Sequence, residues 1–244
     1  MNDQMTTRRR VLLSWSSGKD SAWALHVLRQ RDDVELVGLV TTVNEAFDRV
    51  AMHAVRRELV AAQAMAAGLP LRVVHLPWPC SNEIYEARVA EAIRGALAEG
   101  VTHMAFGDLF LEDVRDYRIR QLTGTGITPM FPLWGTSRDT PALARTMVDA
   151  GLRAIVTCVD PRQLPAEFVG RTFDATFLEG LPPGVDPCGE RGEFHSFCYA
   201  GPMFRHEIPV VPGDIVTRDG FTFADLLPAV NTTAAGGSDH GLKR

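Results

Sequence analysis

Apolar residues in this chain fall into short solid runs, separated by stretches in which apolar positions repeat every three or four residues. Val11-Leu12-Leu13, Val34 to Thr42, Leu71 to Leu76 and Val101 to Phe106 are near-continuous and rich in β-branched residues, the pattern of strands buried on both faces. Between them, Ala22 to Gln30, Met52 to Ala67 and the segment carrying Ile84, Tyr85, Val89, Ala92, Ile93, Ala96 and Leu97 predict helices. Ser81 or Asn82 is placed to cap the last of these, and Gly68-Leu69-Pro70 and Gly100 are placed as stops. Strands and helices alternating in this way predict an α/β fold, a doubly wound parallel sheet covered on both faces. Ligands of such sheets sit outside the carboxyl ends of the strands, near the switch in strand order. That rule gathers residues 14–21, Thr41-Thr42 and Gly107-Asp108 on one rim.

The pattern changes at Ile127 to Trp134, a Pro- and aromatic-rich connector. Thr140-Pro141 then opens a helix that runs to Gly151, and Leu152 to Val159 predicts another strand. From Pro161 onward Pro and Gly are frequent, which predicts loops and short elements. The expected organisation is an N-terminal extension over residues 1–9, an α/β unit over 10–132, a second, smaller α/β unit over 133–229 packed over the rim, and a tail over 230–244 too poor in apolar residues to fold. No internal repeat is found.

Composition narrows the class. The chain has 244 residues, 45% hydrophobic and 23% charged, with a net charge of −5, ordinary values for a globular protein with a real core. The negative charge argues against a general nucleic-acid surface. Cys80, Cys158, Cys188 and Cys198 form no C-x-x-C pair, so neither a zinc ribbon nor a disulfide framework is expected and a reduced cytoplasmic setting fits. Arg8-Arg9-Arg10 and the apolar run behind it are interrupted by Ser14, Lys19 and Asp20 before a signal-peptide core could form. No stretch approaches a membrane span.

Two segments carry candidate chemistry. Ser14-Trp15-Ser16-Ser17-Gly18-Lys19-Asp20-Ser21 leaves the first strand and opens the first helix. Free backbone N–H groups, the helix dipole, Lys19 in an exposed loop and the hydroxyls of Ser16, Ser17 and Ser21 make it a ready anion site; a capped surface turn is the plainer alternative. It is not a Walker loop, because Leu13 stands where that loop needs Gly and Asp20 where it needs Ser or Thr. The second segment, Asp186 to Phe197, joins two carboxylates three residues apart, two glycines and a histidine. It reads either as a held loop presenting Glu190, Glu193 and His195, or as a Gly-rich turn with solvated acids. Arg115 and Arg118, three apart, share one helical face that either grips an anion or is solvated. Cys188 reads first as a small buried thiol.

Ser16-Ser17-Gly18-Lys19-Asp20-Ser21 resembles the pyrophosphate loop (PP-loop) of N-type ATP pyrophosphatases, Ser-Gly-Gly-X-Asp-Ser, with Ser17 in place of the first Gly. Together with Phe106-Gly107-Asp108, the run Leu111 to Arg118, Pro132-Leu133-Trp134, the run Gly189 to Ser196, and Gly201-Pro202-Met203-Phe204, it resembles the diphthine–ammonia ligase family over residues from about 10 to 210. The resemblance implies a Rossmann-like fold of the HUP, adenine nucleotide alpha hydrolase-like kind, with ATP bound by 10–132 and the substrate by 133–229. Members from eukaryotes and archaea convert diphthine, a modified histidine of elongation factor 2, to its amide with ATP and ammonia, releasing AMP and pyrophosphate. Two departures, Arg191 for a Gly and His195 for an acid, fall where the carboxylate substrate would lie, and the chain is closer to the family's bacterial-looking branch.

The implied activity is ATP-dependent ligation of ammonia to a carboxylate-bearing substrate, a protein being one candidate, with no glutaminase domain in this chain. The implied site comprises Ser14, Ser16, Ser17, Gly18, Lys19, Asp20, Ser21, Gly107 and Asp108 around the phosphates and Thr41, Thr42 and Val43 around the adenine. Asp20 and Asp108 are the candidate Mg²⁺ ligands, and Lys19, Asp20, Glu190, Glu193 and His195 the candidate catalytic groups. No nucleic acid or membrane partner is expected, and the oligomeric state stays open. A nucleotide-binding sensor or adaptor, or a nucleotide α-hydrolase without amide synthesis, is the alternative function. Transfer-RNA thiolation, found among related pyrophosphatases, fits poorly with the cysteines and the charge.

Overall fold

The computed structural model describes residues 8–50, 55–135 and 139–229. The expected tail over 230–244, most of the N-terminal extension and the first residues of the helix expected from Met52 lie outside the described residues.

The first part of the chain alternates strand and helix: β1 (Arg9–Ser14), α1 (Lys19–Arg29), β2 (Val34–Asn44), β3 (Arg49–Val50), α2 (Arg57–Ala67), β4 (Leu71–Leu76), α3 (Asn82–Ala98), β5 (His103–Ala105), α4 (Glu112–Leu122) and β6 (Thr128–Met130). β1 lies between β2 and β5, with β4 outside β2 and β6 outside β5, all parallel; β3 turns back antiparallel on the end of β2. The chain therefore winds one way from β1 through β2 to β4 and the other way from β5 to β6. The switch point lies beyond the carboxyl ends of β1 and β5.

Local sequence explains the boundaries. α2 ends at Gly68 in the left-handed conformation (φ 65°) with Pro70 just beyond, as a chain without a Cβ at that turn allows. α3 is capped by Ser81, whose hydroxyl accepts from the Ile84 amide at 3.3 Å. The connector at 127–134 does more than connect: Thr128–Met130 is the edge strand β6, where Pro129 is tolerated.

The second part holds α5 (Thr140–Asp149), β7 (Arg153–Val159), a short 3₁₀ turn (Ala166–Phe168), β8 (Thr172–Phe173), α6 (Ala175–Glu179), β9 (Phe194–Ala200), β10 (Val210–Arg218) and β11 (Phe221–Pro228). Asp139 caps α5, with Pro141 in the first turn. β9 runs antiparallel along β7, while β8 and β11 pair with its two ends and β10 hairpins onto β11. Thus the Pro- and Gly-rich stretch from Pro161 builds most of a second, antiparallel sheet rather than loops alone.

One hydrophobic core crosses from the first sheet (Leu13, Leu39) to the second (Val156, Phe197). A second cluster fills the opposite face of the first sheet, where Leu12, Val40, Val74 and Met104 meet Val89, Ile93 and Ala96 of α3. Among the described residues, no helix is long and apolar enough to cross a membrane.

Candidate active site

The segment between β1 and α1 turns at Ser17, which adopts φ 70°. Gly18 then forms the N-cap of α1 without a side-chain oxygen to occupy the helix amides, so the first turn keeps donors for a ligand. Its carbonyl and side-chain oxygens close the turn on itself: the Gly18 amide donates to Ser16 Oγ at 3.3 Å, and Ser21 Oγ donates to the Gly18 carbonyl at 3.0 Å. Gly107, just beyond β5, packs against this turn. A Cβ there would lie 3.0 Å from backbone atoms of Asp20 and Ser21, so any larger residue would press the turn back by a few tenths of an ångström.

Tertiary contacts from β9 and α2 hold the turn. The Ser17 carbonyl accepts from the Cys198 amide and from Gln63 Nε2, both at 2.9 Å. Gln63 also donates to the Cys198 carbonyl at 2.6 Å and accepts from Trp15 Nε1 at 2.8 Å. The Lys19 amide donates to Ser196 Oγ at 3.3 Å. Gln63 is fully buried, and nothing in an Ala-rich helical stretch singled it out from sequence.

Lys19 is the main correction to the sequence reading. It opens α1 rather than standing in an exposed loop, and it is 2% exposed. Its ammonium contacts Asp20 Oδ2 at 2.8 Å and Oδ1 at 3.0 Å, donates to the Cys188 carbonyl, and lies over the rings of Phe194 and Phe173 at 5.3 and 5.7 Å. Burial works against its charge, but Asp20 outweighs that and holds its pKa above the ordinary lysine value. Substituting it therefore leaves a carboxylate short of its cation and affects folding as well as ligand binding.

The loop ahead of β9 is knitted by two buried carboxylates. Asp186 accepts from the amides of Cys188 and Glu190, each at 3.1 Å, and Glu193 accepts from those of Asp186 and Arg191, each at 3.0 Å. Each buried charge is thus met by backbone donors. Gly189 takes φ 66°, and a Cβ on it would fall 2.8 Å from the Phe194 carbonyl. This frame turns Glu193 inward, away from the cavity, and points Glu190 at the Leu109 amide, which donates to it at 2.8 Å. Asp186, absent from the expected site, proves to be half of the frame.

Ser14, Ser16, Gly18, Lys19, Asp20, Ser21, Gly107, Asp108, Glu190 and His195 line one polar cavity of about 230 Å³. Thr41 and Thr42 line an adjoining, mostly apolar cavity of about 390 Å³ between the sheet and α3. Ser17 and Val43 are buried in the walls behind these spaces. Burial, with Asp20 nearby, pushes Glu190 up to about 7, against the Leu109 hydrogen bond. Burial and then Lys19 push His195 down to about 4, so its imidazole is neutral at pH 7. Asp108 is raised, chiefly by burial, and its Oδ2 is buried without a hydrogen-bond partner. Cys188 is buried and its thiol is raised by burial, the state of an inert structural cysteine.

Residues 9–123 match the model of the diphthamide synthase N-terminal domain, and residues 139–225 that of the diphthamide synthase C-terminal domain. A human protein named diphthine–ammonia ligase is 30% identical over 105 residues, which cover 41% of this chain and 39% of the relative. The bovine protein of the same name matches to the same extent. The matched region spans about two fifths of the length of these curated relatives. With the two domain models lying in order across most of its length, the chain belongs to the diphthamide synthase family.

Proposed function

We propose that this protein is an ATP-dependent ligase that adenylates a substrate carboxylate and transfers ammonia to it, releasing AMP and pyrophosphate. The observation that carries the reading is the convergence of residues 14–21, Gly107-Asp108 and Glu190 on one polar cavity beside an apolar one. A nucleotide binder needs the first of these groups but has no use for a carboxyl near pKa 7 on the wall of the same cavity. The names of the human and bovine relatives supply ammonia as the second substrate. The four free cysteines, three of them buried, suit a cytoplasmic setting.

In this reading adenine enters the apolar cavity against Thr41 and Thr42, and the β and γ phosphates lie in the polar one. A carboxylate oxygen bonds to the α phosphorus while the α–β bridging P–O bond breaks, and its electron pair leaves with pyrophosphate. The first-turn amides of α1 and the hydroxyls of Ser16 and Ser21 hold that leaving group, as preorganised donors do. Lys19 acts from the wall as a fixed positive charge. Ammonia then attacks the acyl carbon, the carbon–oxygen bond to AMP breaks, and Glu190 takes the proton that nitrogen sheds. His195, being neutral, serves as a hydrogen-bonding group rather than a cation.

Among the described residues no three or more Asp, Glu, His or Cys side chains gather into a metal cage, so in this reading Mg²⁺ arrives with the nucleotide and needs only one or two carboxylates from the protein. The polar cavity sets Asp20, Asp108 and Glu190 against Lys19 and Arg118, an excess of negative charge that would repel a bare polyphosphate. Asp108 also keeps a buried oxygen without a hydrogen bond. Asp20 and Asp108 would hold the ion, and one or two carboxylates plus substrate phosphates are a usual Mg²⁺ environment. When bound, it neutralises phosphate oxygens and polarises the phosphorus.

Product analysis tests the reading. The protein is incubated with ATP, Mg²⁺ and ammonium, with whole or desalted cell extract, across pH 5.5–8.5. The expected result is AMP and pyrophosphate that require a small-molecule or protein component, with an ascending pH limb near 7 that is lost in Glu190→Gln. ADP as product, or nucleotide binding without AMP in any extract, would overturn the ligase reading; the second outcome leaves a sensor.

A further inference from the structure

The polar and the apolar cavity share five wall residues: Ser14, Ser16, Phe106, Arg118 and His195. Among these Arg118, from α4, is the charged one at pH 7, since burial keeps His195 neutral. Its guanidinium lies 5.0 Å over the Phe106 ring, which fixes its plane. Its Nε is buried and makes no hydrogen bond. The facing carboxylate oxygen, Asp108 Oδ2, forms an ion pair with it at 3.7 Å, too long for a hydrogen bond, and it too makes no hydrogen bond. A buried donor and a buried acceptor left without a hydrogen bond across such a gap are costly unless a ligand completes them. Arg115, one turn earlier, also has a buried Nε without a hydrogen bond, but it lies over Phe131 and Trp134 at 5.5 and 4.8 Å and lines neither cavity, so it is the position of Arg118 on the shared wall that sets it apart.

We propose that Arg118 is the α-phosphoryl-binding residue of this site and carries the charge that develops there as one P–O bond forms and another breaks. The inference rests on the ligase reading above. A nucleotide with its base in the apolar cavity and its outer phosphates in the polar one must place its α-phosphoryl group at the wall the two share. Phe106 prepays the orientation of the guanidinium, and a charge-assisted bond to phosphate oxygen supplies the hydrogen bond that Asp108 does not make.

Calorimetric titration separates the subsites. Adenosine, AMP, ATP and inorganic pyrophosphate, each with Mg²⁺, are titrated into the wild type, Arg118→Gln and Arg118→Lys, with thermal melting as the control for folding. For Arg118→Gln, AMP and ATP are expected to bind about 10- to 100-fold more weakly, the range of one charge-assisted hydrogen bond, with adenosine and pyrophosphate changed less than about twofold. Arg118→Lys keeps the charge without the fork and should give an intermediate loss for AMP and ATP, with adenosine and pyrophosphate again little changed; it decides the matter should the glutamine variant not fold. Unchanged AMP affinity, or an equal loss for pyrophosphate, would overturn the assignment while leaving the ligase reading intact. A wild type that binds no adenine nucleotide would remove both.

Discussion

Ser17 holds a left-handed backbone conformation, φ 70°, with its side chain buried and its hydroxyl without a hydrogen-bond partner. Both features carry a cost that glycine avoids, roughly 1 kcal/mol for the backbone alone, although glycine loses more chain entropy on folding. Ser17→Gly is therefore expected to stabilise the protein by about 1 kcal/mol, a rise of about 2–4 °C in thermal midpoint for a chain of this size. A fall in the midpoint would mean that the hydroxyl has a partner worth more than the strain. The departure from the pyrophosphate-loop pattern was visible in the sequence. Its conformation was not, because φ at one residue is imposed by the Cys198 amide and Gln63 gripping the Ser17 carbonyl. The same limit applies to Glu190 and Glu193. Three residues apart in a Gly-rich loop they are equivalent as sequence, and the amides of Asp186 and Arg191 turn one of them into the frame.

At the scale of elements, hydrophobic periodicity located α1, α2 and α3 and the parallel strands β1, β2, β4 and β5, down to the bounds of β4 at Leu71–Leu76. It failed where proline sits in a strand. β6 contains Pro129 and β10 contains Pro212 beside a register shift, and both are edge strands, where the missing amide donor goes unneeded. α2 shows how an element read correctly can still hide its role. Through Gln63 it reaches 48 residues back to Trp15 and 135 residues on to Cys198. Gln63→Leu keeps the volume but leaves the indole N–H of Trp15 buried without its acceptor, an expected loss of about 2–3 kcal/mol. Hydrogen exchange should quicken at residues 16–19 more than at α3. Unchanged protection there would show that β9 alone holds the loop.

Across the whole molecule the two sheets are joined by a shared core and by an ionic clasp. Asp225 on β11 accepts from Arg49 on β3 at 2.7 Å and from Arg56 at the start of α2 at 2.6 Å. Burial alone would raise its pKa, but the two guanidinium groups bring it down to about 2. A carboxyl whose pKa is lowered on folding stabilises the protein above its unfolded value, near 4, and that contribution disappears as pH falls from about 4 to about 2. Asp225→Asn should thus be about 1–2 kcal/mol less stable than wild type at pH 7, with the difference closing toward pH 2. Denaturant titrations at pH 7, 4 and 2.5 measure it, and a gap independent of pH would show that shape, not charge, makes the clasp.

The sequence by itself determined the α/β class, the alternation of parallel strands and helices from β1 to β5, the turn between β1 and α1, and the family. These are properties of residue type and of spacing along a few neighbours, which local periodicity, turn chemistry and motif order carry directly. Tertiary structure alone decided that Lys19 is buried against Asp20 and Cys188, that Glu190 rather than Glu193 faces the polar cavity, that Arg118 rather than Arg115 reaches the wall between the two cavities, and that Gln63 and Asp186 brace the turn after β1 and the loop ahead of β9. Each of these depends on which distant groups desolvate a side chain and which amides or carbonyls meet it. That information appears only when β9 and the loop ahead of it fold down onto the turn after β1.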